Sequence, residues 1–214
     1  MRLFHLDSSL RTDGSVSRDL AGCFQDAWLK GHPGADVTYR DLATDQVPHL
    51  AHATQMAALS PKDLRTADQN AAIALSEELA RELLDADVYL FSSPIYNWGV
   101  PSQLKAWFDH VALDRSLFGE APALAGRPAV LVMAKGGAYG PGTPREGWDY
   151  AEPWLRRMLG EVMRLDLEVI AAELTLAGVN PALNHLQDVA DASLAAARAA
   201  VVARAEGLGG RVAA

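Results

Sequence analysis

The sequence predicts an α/β fold, a doubly wound five-stranded parallel sheet with helices on both faces. Two observations lead there. Short apolar runs of strand length alternate along the chain with longer stretches of helical periodicity. The runs at 88–92 and 127–134 are apolar almost throughout, without the alternation of a half-exposed strand, and strands buried on both faces belong to parallel sheets covered by helices. Crossovers in such sheets are right-handed, and ligands sit beyond the carboxyl ends of the strands at a topological switch point.

The elements follow in order. Residues 2–7 form a short apolar strand, 8–17 a polar loop, and about 18–30 a helical pattern. Ser15 or Ser17 can cap that helix, and hydroxyls with backbone N–H groups at a positive helix end outline a phosphate site. Serines here also serve as caps alone. No Gly-Lys-Ser/Thr follows, which excludes a Walker loop, and Gly14 is the only glycine of the loop, which excludes the dinucleotide fingerprint. Cys23 lies beside Leu20, Phe24 and Ala27 on the inward face, so the chain's one cysteine reads as structural. Residues 36–42 alternate like a second strand nearer an edge. The stretch 44–60 reads as a long loop of the kind that often carries function, and His49 and His52 lack a third ligand, so no metal is expected. From 61 to 85 the pattern predicts one helix with Ala72, Leu75, Leu79 and Leu83 inward and a Glu77–Arg81 pair outward.

The strand at 88–92 leads into Ser93-Pro94-Ile95-Tyr96-Asn97-Trp98-Gly99-Val100-Pro101, a turn with two aromatics and an amide on which a planar ligand can lie. Tyr96 and Trp98 read equally as packing residues. Pro101 suits the first turn of a helix whose Leu104, Trp107, Phe108 and Val111 form one apolar face. A loop around Phe118 and Gly119 follows at 114–126, then the strand at 127–134. That strand runs into Lys135-Gly136-Gly137-Ala138-Tyr139-Gly140-Pro141-Gly142, where glycines let backbone N–H groups approach a ligand. Residues 148–160 read as a helix, 165–173 as the fifth strand, and 181–205 as a closing helix with Leu186, Ala190, Leu194, Ala197 and Val201 inward.

With 214 residues and no visible linker, a single domain over 1–214 is expected. Half the residues are apolar and 21% are charged, the balance of a globular chain. No apolar run approaches the roughly 20 residues that span a bilayer, and no signal-peptide pattern precedes the first strand, so no membrane partner and a cytoplasmic location are expected. The net charge of −8 disfavours nucleic acid as a partner.

The suspicious loops after strands one, three and four share one sheet edge. A hydroxyl-rich loop, an aromatic turn and a Gly-rich loop in that order match flavin mononucleotide in a flavodoxin-like fold. The motifs Ser8-Ser9 with Ser15-Val16-Ser17, Pro94-Ile95-Tyr96-Asn97-Trp98 with Val100-Pro101 and Leu104-Lys105, and Ala134-Lys135-Gly136-Gly137 make the chain resemble the FMN-dependent NADH-azoreductases. These are flavodoxin-like quinone and azo-compound reductases. The resemblance covers nearly the whole chain. It implies FMN contacts from Ser9, Ser15, Val16, Ser17, Pro94, Ile95, Tyr96, Asn97, Trp98, Ala134, Lys135, Gly136 and Gly137, with NADH or NADPH as electron donor. It further implies a small-molecule aromatic acceptor, quinone or azo compound, and a homodimer with its sites at the subunit interface. Backbone donors of Tyr96, Asn97 and the Gly136-Gly137 loop are expected to face the ring. The chain departs from the family's Met-Tyr-Asn-Phe at Ile95 and Trp98, and from its Ser-Arg-Gly-Gly at Ala134 and Lys135. The flavin carries the redox chemistry, so no side chain is assigned as catalytic and no metal ligand is expected. The alternative is a flavodoxin-like electron carrier or another FMN-binding protein. A phospho-receiver domain shares the sheet but needs an Asp where this chain has Ser92-Ser93.

Overall fold

In a computed structural model that describes residues 1–208, the strands are β1 (Arg2–Asp7), β2 (Asp36–Asp41), β3 (Val88–Pro94), β4 (Pro128–Ala134) and β5 (Asp166–Ala172). They form one five-stranded sheet in the order β2-β1-β3-β4-β5, every pair parallel. The chain moves outward from β1 to β2 and then crosses back to β3, so the switch point lies between β1 and β3.

Strand alternation divides the apolar residues between two cores. Leu3, Val88, Leu90, Val130, Val132 and Ile170 face one side, where α1 (Val16–Gly31) contributes Leu20, Phe24 and Trp28 and the last helix contributes Ala197 and Val201. Phe4, Leu6, Tyr89, Phe91, Leu131 and Met133 face the other. There α2 (His52–Leu59), α3 (Ala67–Leu84), α4 (Ser102–Val111) and α5 (Ala151–Leu155) follow in chain order, and α3 and α4 cover the sheet with Leu79, Leu83, Leu104, Trp107 and Phe108. The closing helix is α6 (Gln187–Leu208). Cys23 is half-buried against the α1 side, as its neighbours suggested.

The structure corrects several boundaries. The stretch 44–60 is not all loop, because α2 forms within it although Ala51 at its N-cap offers no capping side chain. The helix expected over 61–85 is a 3₁₀ turn at Lys62–Leu64 followed by α3. Thr66 stops the first and starts the second through a capping box with Gln69, the two reciprocal bonds being 3.2 and 2.9 Å. The inward stripe of α3 is Ile73, Ser76, Leu79, Ala80 and Leu83, with Ala72 and Leu75 at its margin. Ser76 is tolerated inside because its hydroxyl meets His110 Nδ1 at 2.7 Å. Glu77 pairs with Arg65 at 2.7 Å and Lys62 at 3.6 Å instead of Arg81. The helix expected from 148 begins at Ala151, since the Asp149 carboxylate accepts the N–H groups of Ala151 and Glu152, both at 2.9 Å, and it continues as a π-helical turn at Arg156–Val162. The closing segment opens with a 3₁₀ turn at Pro181–Leu186 before α6.

Candidate active site

Because the strands are parallel, the loops leaving β1, β3 and β4 emerge at one edge of the sheet. Asp7 ends β1 and is buried. Its carboxylate accepts from Ser92 Oγ at 2.5 Å, the Tyr39 hydroxyl at 2.8 Å and Arg18 at 3.3 Å. Burial raises its pKa, but His5, Ser92 and Tyr39 outweigh that and hold the carboxyl below its ordinary value. Arg18 also pairs with Asp41 and donates to the Ser9 carbonyl at 2.7 Å, while Gln103 Nε2 donates to the Ser8 carbonyl at 2.6 Å. The first loop is thus anchored on both sides.

Ser9, Ser15 and Ser17 are all buried in this loop and the turn after it. Ser15 stands at the N-cap of α1, yet its hydroxyl makes no capping bond and lies 3.4 Å from Ser17 Oγ. A purely capping role therefore has no support at Ser15. Among the described residues, the N–H groups of Val16, Ser17 and Arg18 meet no acceptor, as expected of a first helical turn left open to an anion. Gly14 sits at φ +63°, and a Cβ there would come 3.4 Å from the Arg11 guanidinium, which folds back over the loop. Arg11 is a residue that the sequence reading passed over. The signal was a basic side chain inside a run of hydroxyls.

The second loop is a two-residue hairpin. Tyr96 N–H donates to the Gly99 carbonyl at 3.1 Å and Gly99 N–H returns to Tyr96 at 3.0 Å. Asn97 at φ 48° and Trp98 at φ 61° occupy the two left-handed positions of the turn. Non-glycine residues in that region cost about 1–2 kcal/mol each, so they persist only where neighbours hold them. Trp98 is held on three sides. Its carbonyl accepts from Tyr150 N–H at 2.9 Å, its indole meets Trp148 edge to face at 5.3 Å, and the Arg145 guanidinium lies 6.0 Å from its ring centre. With 39% of its surface exposed, Trp98 is not core packing. The Tyr96 phenol crosses to the first loop and accepts from Leu10 N–H at 3.1 Å. One expectation fails here, since the Tyr96 N–H is occupied by Gly99 and cannot face a ring, whereas Asn97 N–H has no acceptor among the described residues. Pro94 pairs with Ala134 across β3 and β4, and Ile95 N–H donates to the Ala134 carbonyl at 3.0 Å.

The third loop starts at Lys135, whose buried ammonium turns away from the other loops into a carboxylate cluster, 2.8 Å from Asp149, 2.6 Å from Glu152 and 3.7 Å from Glu173. Burial works to lower its pKa, but Asp149 and Glu152 outweigh it and raise the pKa. Its backbone is engaged as well, N–H to Ala172 at 2.8 Å and carbonyl from Thr175 at 3.0 Å. Lys135 therefore fixes the base of the loop instead of reaching into the site. Gly136 and Gly137 give their carbonyls to Leu176 and Leu174, both at 3.3 Å, and keep their N–H groups free among the described residues. A Cβ on Gly136 would come 2.7 Å from Leu176 Cδ1, which requires glycine there.

The three loops present buried hydroxyls and a bare helix start at one end, and free N–H groups on Asn97, Gly136 and Gly137 beside two exposed tryptophans at the other. That donor set fits an anionic terminus joined to a planar, acceptor-rich ring. Among the described residues, no group of three or more His, Cys, Asp or Glu could hold a metal.

Comparison with known proteins agrees with this arrangement. The flavodoxin-like fold family matches residues 1–199. An FMN-dependent NADH:quinone oxidoreductase of Frankia casuarinae is 44% identical over 95% of this chain and 98% of its own. Its counterpart from Frankia alni is 45% identical over the same shares of both chains. Among solved structures, an azoreductase from Bacillus anthracis superposes with a TM-score of 0.81 at 20% identity, covering 97% of this chain and 99% of that one. The chain belongs to the flavodoxin-like fold family, together with the quinone oxidoreductases that it parallels along nearly its whole length.

Proposed function

We propose that this chain, as one flavodoxin-like domain, is an FMN-dependent NADH:quinone oxidoreductase that also reduces aromatic azo compounds. The observation that carries this reading is the meeting of three loops at one sheet edge, with backbone N–H groups that are free among the described residues at Val16 and Ser17, at Asn97, and at Gly136 and Gly137. Bound FMN supplies two-electron transfer between a pyridine nucleotide and an organic acceptor. The chain's own residues do the rest. Ser9, Ser15 and Ser17, with the N–H groups of Val16 to Arg18, hold the phosphate by charge-assisted hydrogen bonds. Arg11, whose guanidinium lies beside Gly14 of the same loop, would add positive charge near it. Asn97, Gly136 and Gly137, whose N–H groups are free among the described residues, would donate to the ring and steady negative charge on it, in the manner of an oxyanion hole. Trp98 and Trp148 would flank the open face of the ring.

Donor and acceptor use that one face in turn, which gives ping-pong kinetics. NADH is the donor named for the relatives at 44 and 45% identity. We also propose a two-fold dimer. Trp107 is completely buried and Phe118 packs on the core, so neither side chain offers free apolar surface to a partner. Support comes instead from Met56, Leu59 and Leu64, which expose 45, 63 and 71% of their surface along one short stretch. No described helix is long and apolar enough to cross a membrane.

A visible spectrum of the purified protein, bleached by NADH and restored by a quinone, tests cofactor, donor and acceptor together. Released cofactor should run as FMN on chromatography. Bleaching without restoration by any quinone or azo dye would leave an electron carrier. Light scattering that shows a fully active monomer at micromolar concentration would refute the dimer.

A further inference from the structure

Beside the Gly136-Gly137 loop a cleft of about 610 Å³ runs between the 138–145 segment and the turn that precedes α6. Its walls are apolar, chiefly Tyr139, Leu174, Leu176, Leu183 and Leu186. The chain carries 27 acidic against 19 basic residues, yet among the described residues no Asp or Glu lines this cleft. Among the described residues Arg145 supplies its formal charge, and the same guanidinium lies over the Trp98 ring, 6.0 Å from its centre. Thr143, Asn180 and His185 add the other polar side chains of the lining. An apolar trough continuous with the ring loop, free of carboxylates in an acidic protein and marked by one arginine, has the chemistry of a site for an amphiphilic anion.

We propose that this cleft is a second part of the acceptor site, which receives the acidic substituent of an aromatic acceptor, a sulfonate or carboxylate, with Arg145 as the specificity-determining residue. The inference rests on the reductase reading and adds to it the acceptor's charge class. The acceptor's reacting ring lies against Trp98, and its remaining apolar body extends past Gly136 and Gly137 into the cleft. Arg145 is exposed, so its preference is modest. An exposed ion pair corresponds to a change of up to about fivefold.

The test compares a neutral naphthoquinone with its sulfonated derivative on flavin-loaded wild type, Arg145→Ala and Arg145→Lys. In Arg145→Ala the ratio of kcat/KM for the sulfonated over the neutral quinone should fall about three- to fivefold, and Arg145→Lys should retain most of it. Calorimetric titration with naphthalene sulfonate, which is not reduced, should show the same loss of affinity without turnover. Val189→Asp, an exposed change at the cleft wall, should lower the same ratio by adding a carboxylate. An unchanged ratio, or an equal fall for both quinones, would overturn the proposal. So would a rise in the KM for NADH matching that for the sulfonated quinone, since Arg145 would then serve the donor's phosphates. A wild type that reduces neither quinone but binds naphthalene sulfonate through Arg145 would defeat the reductase reading and leave the anion cleft standing.

Discussion

Trp98 holds a backbone conformation that suits glycine, at φ 61°, while its side chain makes the contacts that keep it there. The two contributions separate by comparing Trp98→Ala with Trp98→Gly. Both variants lose the edge-to-face contact with Trp148, about 0.5–1.5 kcal/mol, and the Arg145 stack, about 0.5–1 kcal/mol at an exposed site. Only glycine also sheds the left-handed penalty of about 1–2 kcal/mol, against about 0.5–1 kcal/mol of extra backbone entropy in its unfolded chain. The balance puts Trp98→Gly above Trp98→Ala by about 0.5–1 kcal/mol, or roughly 1–4 °C in Tm for a domain of this size. At an ordinary position the order is the reverse. Urea midpoints and melting curves at matched flavin loading read the difference. An alanine variant equal to or more stable than the glycine variant would refute the strained hairpin and the argument built on it.

Ser15→Ala and Ser17→Ala should each weaken FMN about ten- to a hundredfold by removing a hydrogen bond to a charged group, while riboflavin binds all forms alike; an equal loss for riboflavin would make the serines structural. Lys135→Met should destabilise the fold by about 3–5 kcal/mol near neutral pH, because it strands Asp149 and Glu152 with little solvent. Burial raises the Glu152 pKa, but Lys135 and Arg156 outweigh it and hold it below the ordinary 4.5, so the pairing contributes fully above that pH and is lost as pH falls through the lowered value. The gap between Lys135→Met and wild type in urea midpoint should therefore narrow in acid. His110 donates from Nε2 to the Pro48 carbonyl at 3.1 Å and accepts from Ser76 at Nδ1, and burial lowers its pKa from 6.5. Its neutral form stabilises the fold above that pH, and the contribution fades as pH falls through the lowered value. His110→Gln should flatten the stability profile over that interval, as read by urea midpoints across the pH series.

The sheet was legible because residues that must be buried on both faces have almost no freedom of composition. The runs in β3 and β4 could be nothing else, and their carboxyl ends placed the three loops. Local signals failed where a distant partner decides. Nothing near Lys135 reveals that carboxylates from residues 149, 152 and 173 converge on it, so a residue grouped with the flavin contacts proves to brace the loop from behind. The inward stripe expected for α3 omits Ser76, whose partner His110 lies 34 residues away. The hairpin was hidden for another reason. Its usual signature is Asn-Gly, and tryptophan in the second place gives no warning of a left-handed turn. The helix α2 lacked both a capping side chain and a clear apolar stripe, so no sequence feature announced it.

The crosslink from the Tyr96 phenol to Leu10 N–H, together with Gln103 gripping the Ser8 carbonyl, joins the two ends of the site through protein alone. Loops ordered this way keep their shape without a guest, so the entropy of arranging them is met when the chain folds and not again when a ligand arrives. Association then resembles docking onto a finished surface, and residence time depends chiefly on how many N–H contacts must break together.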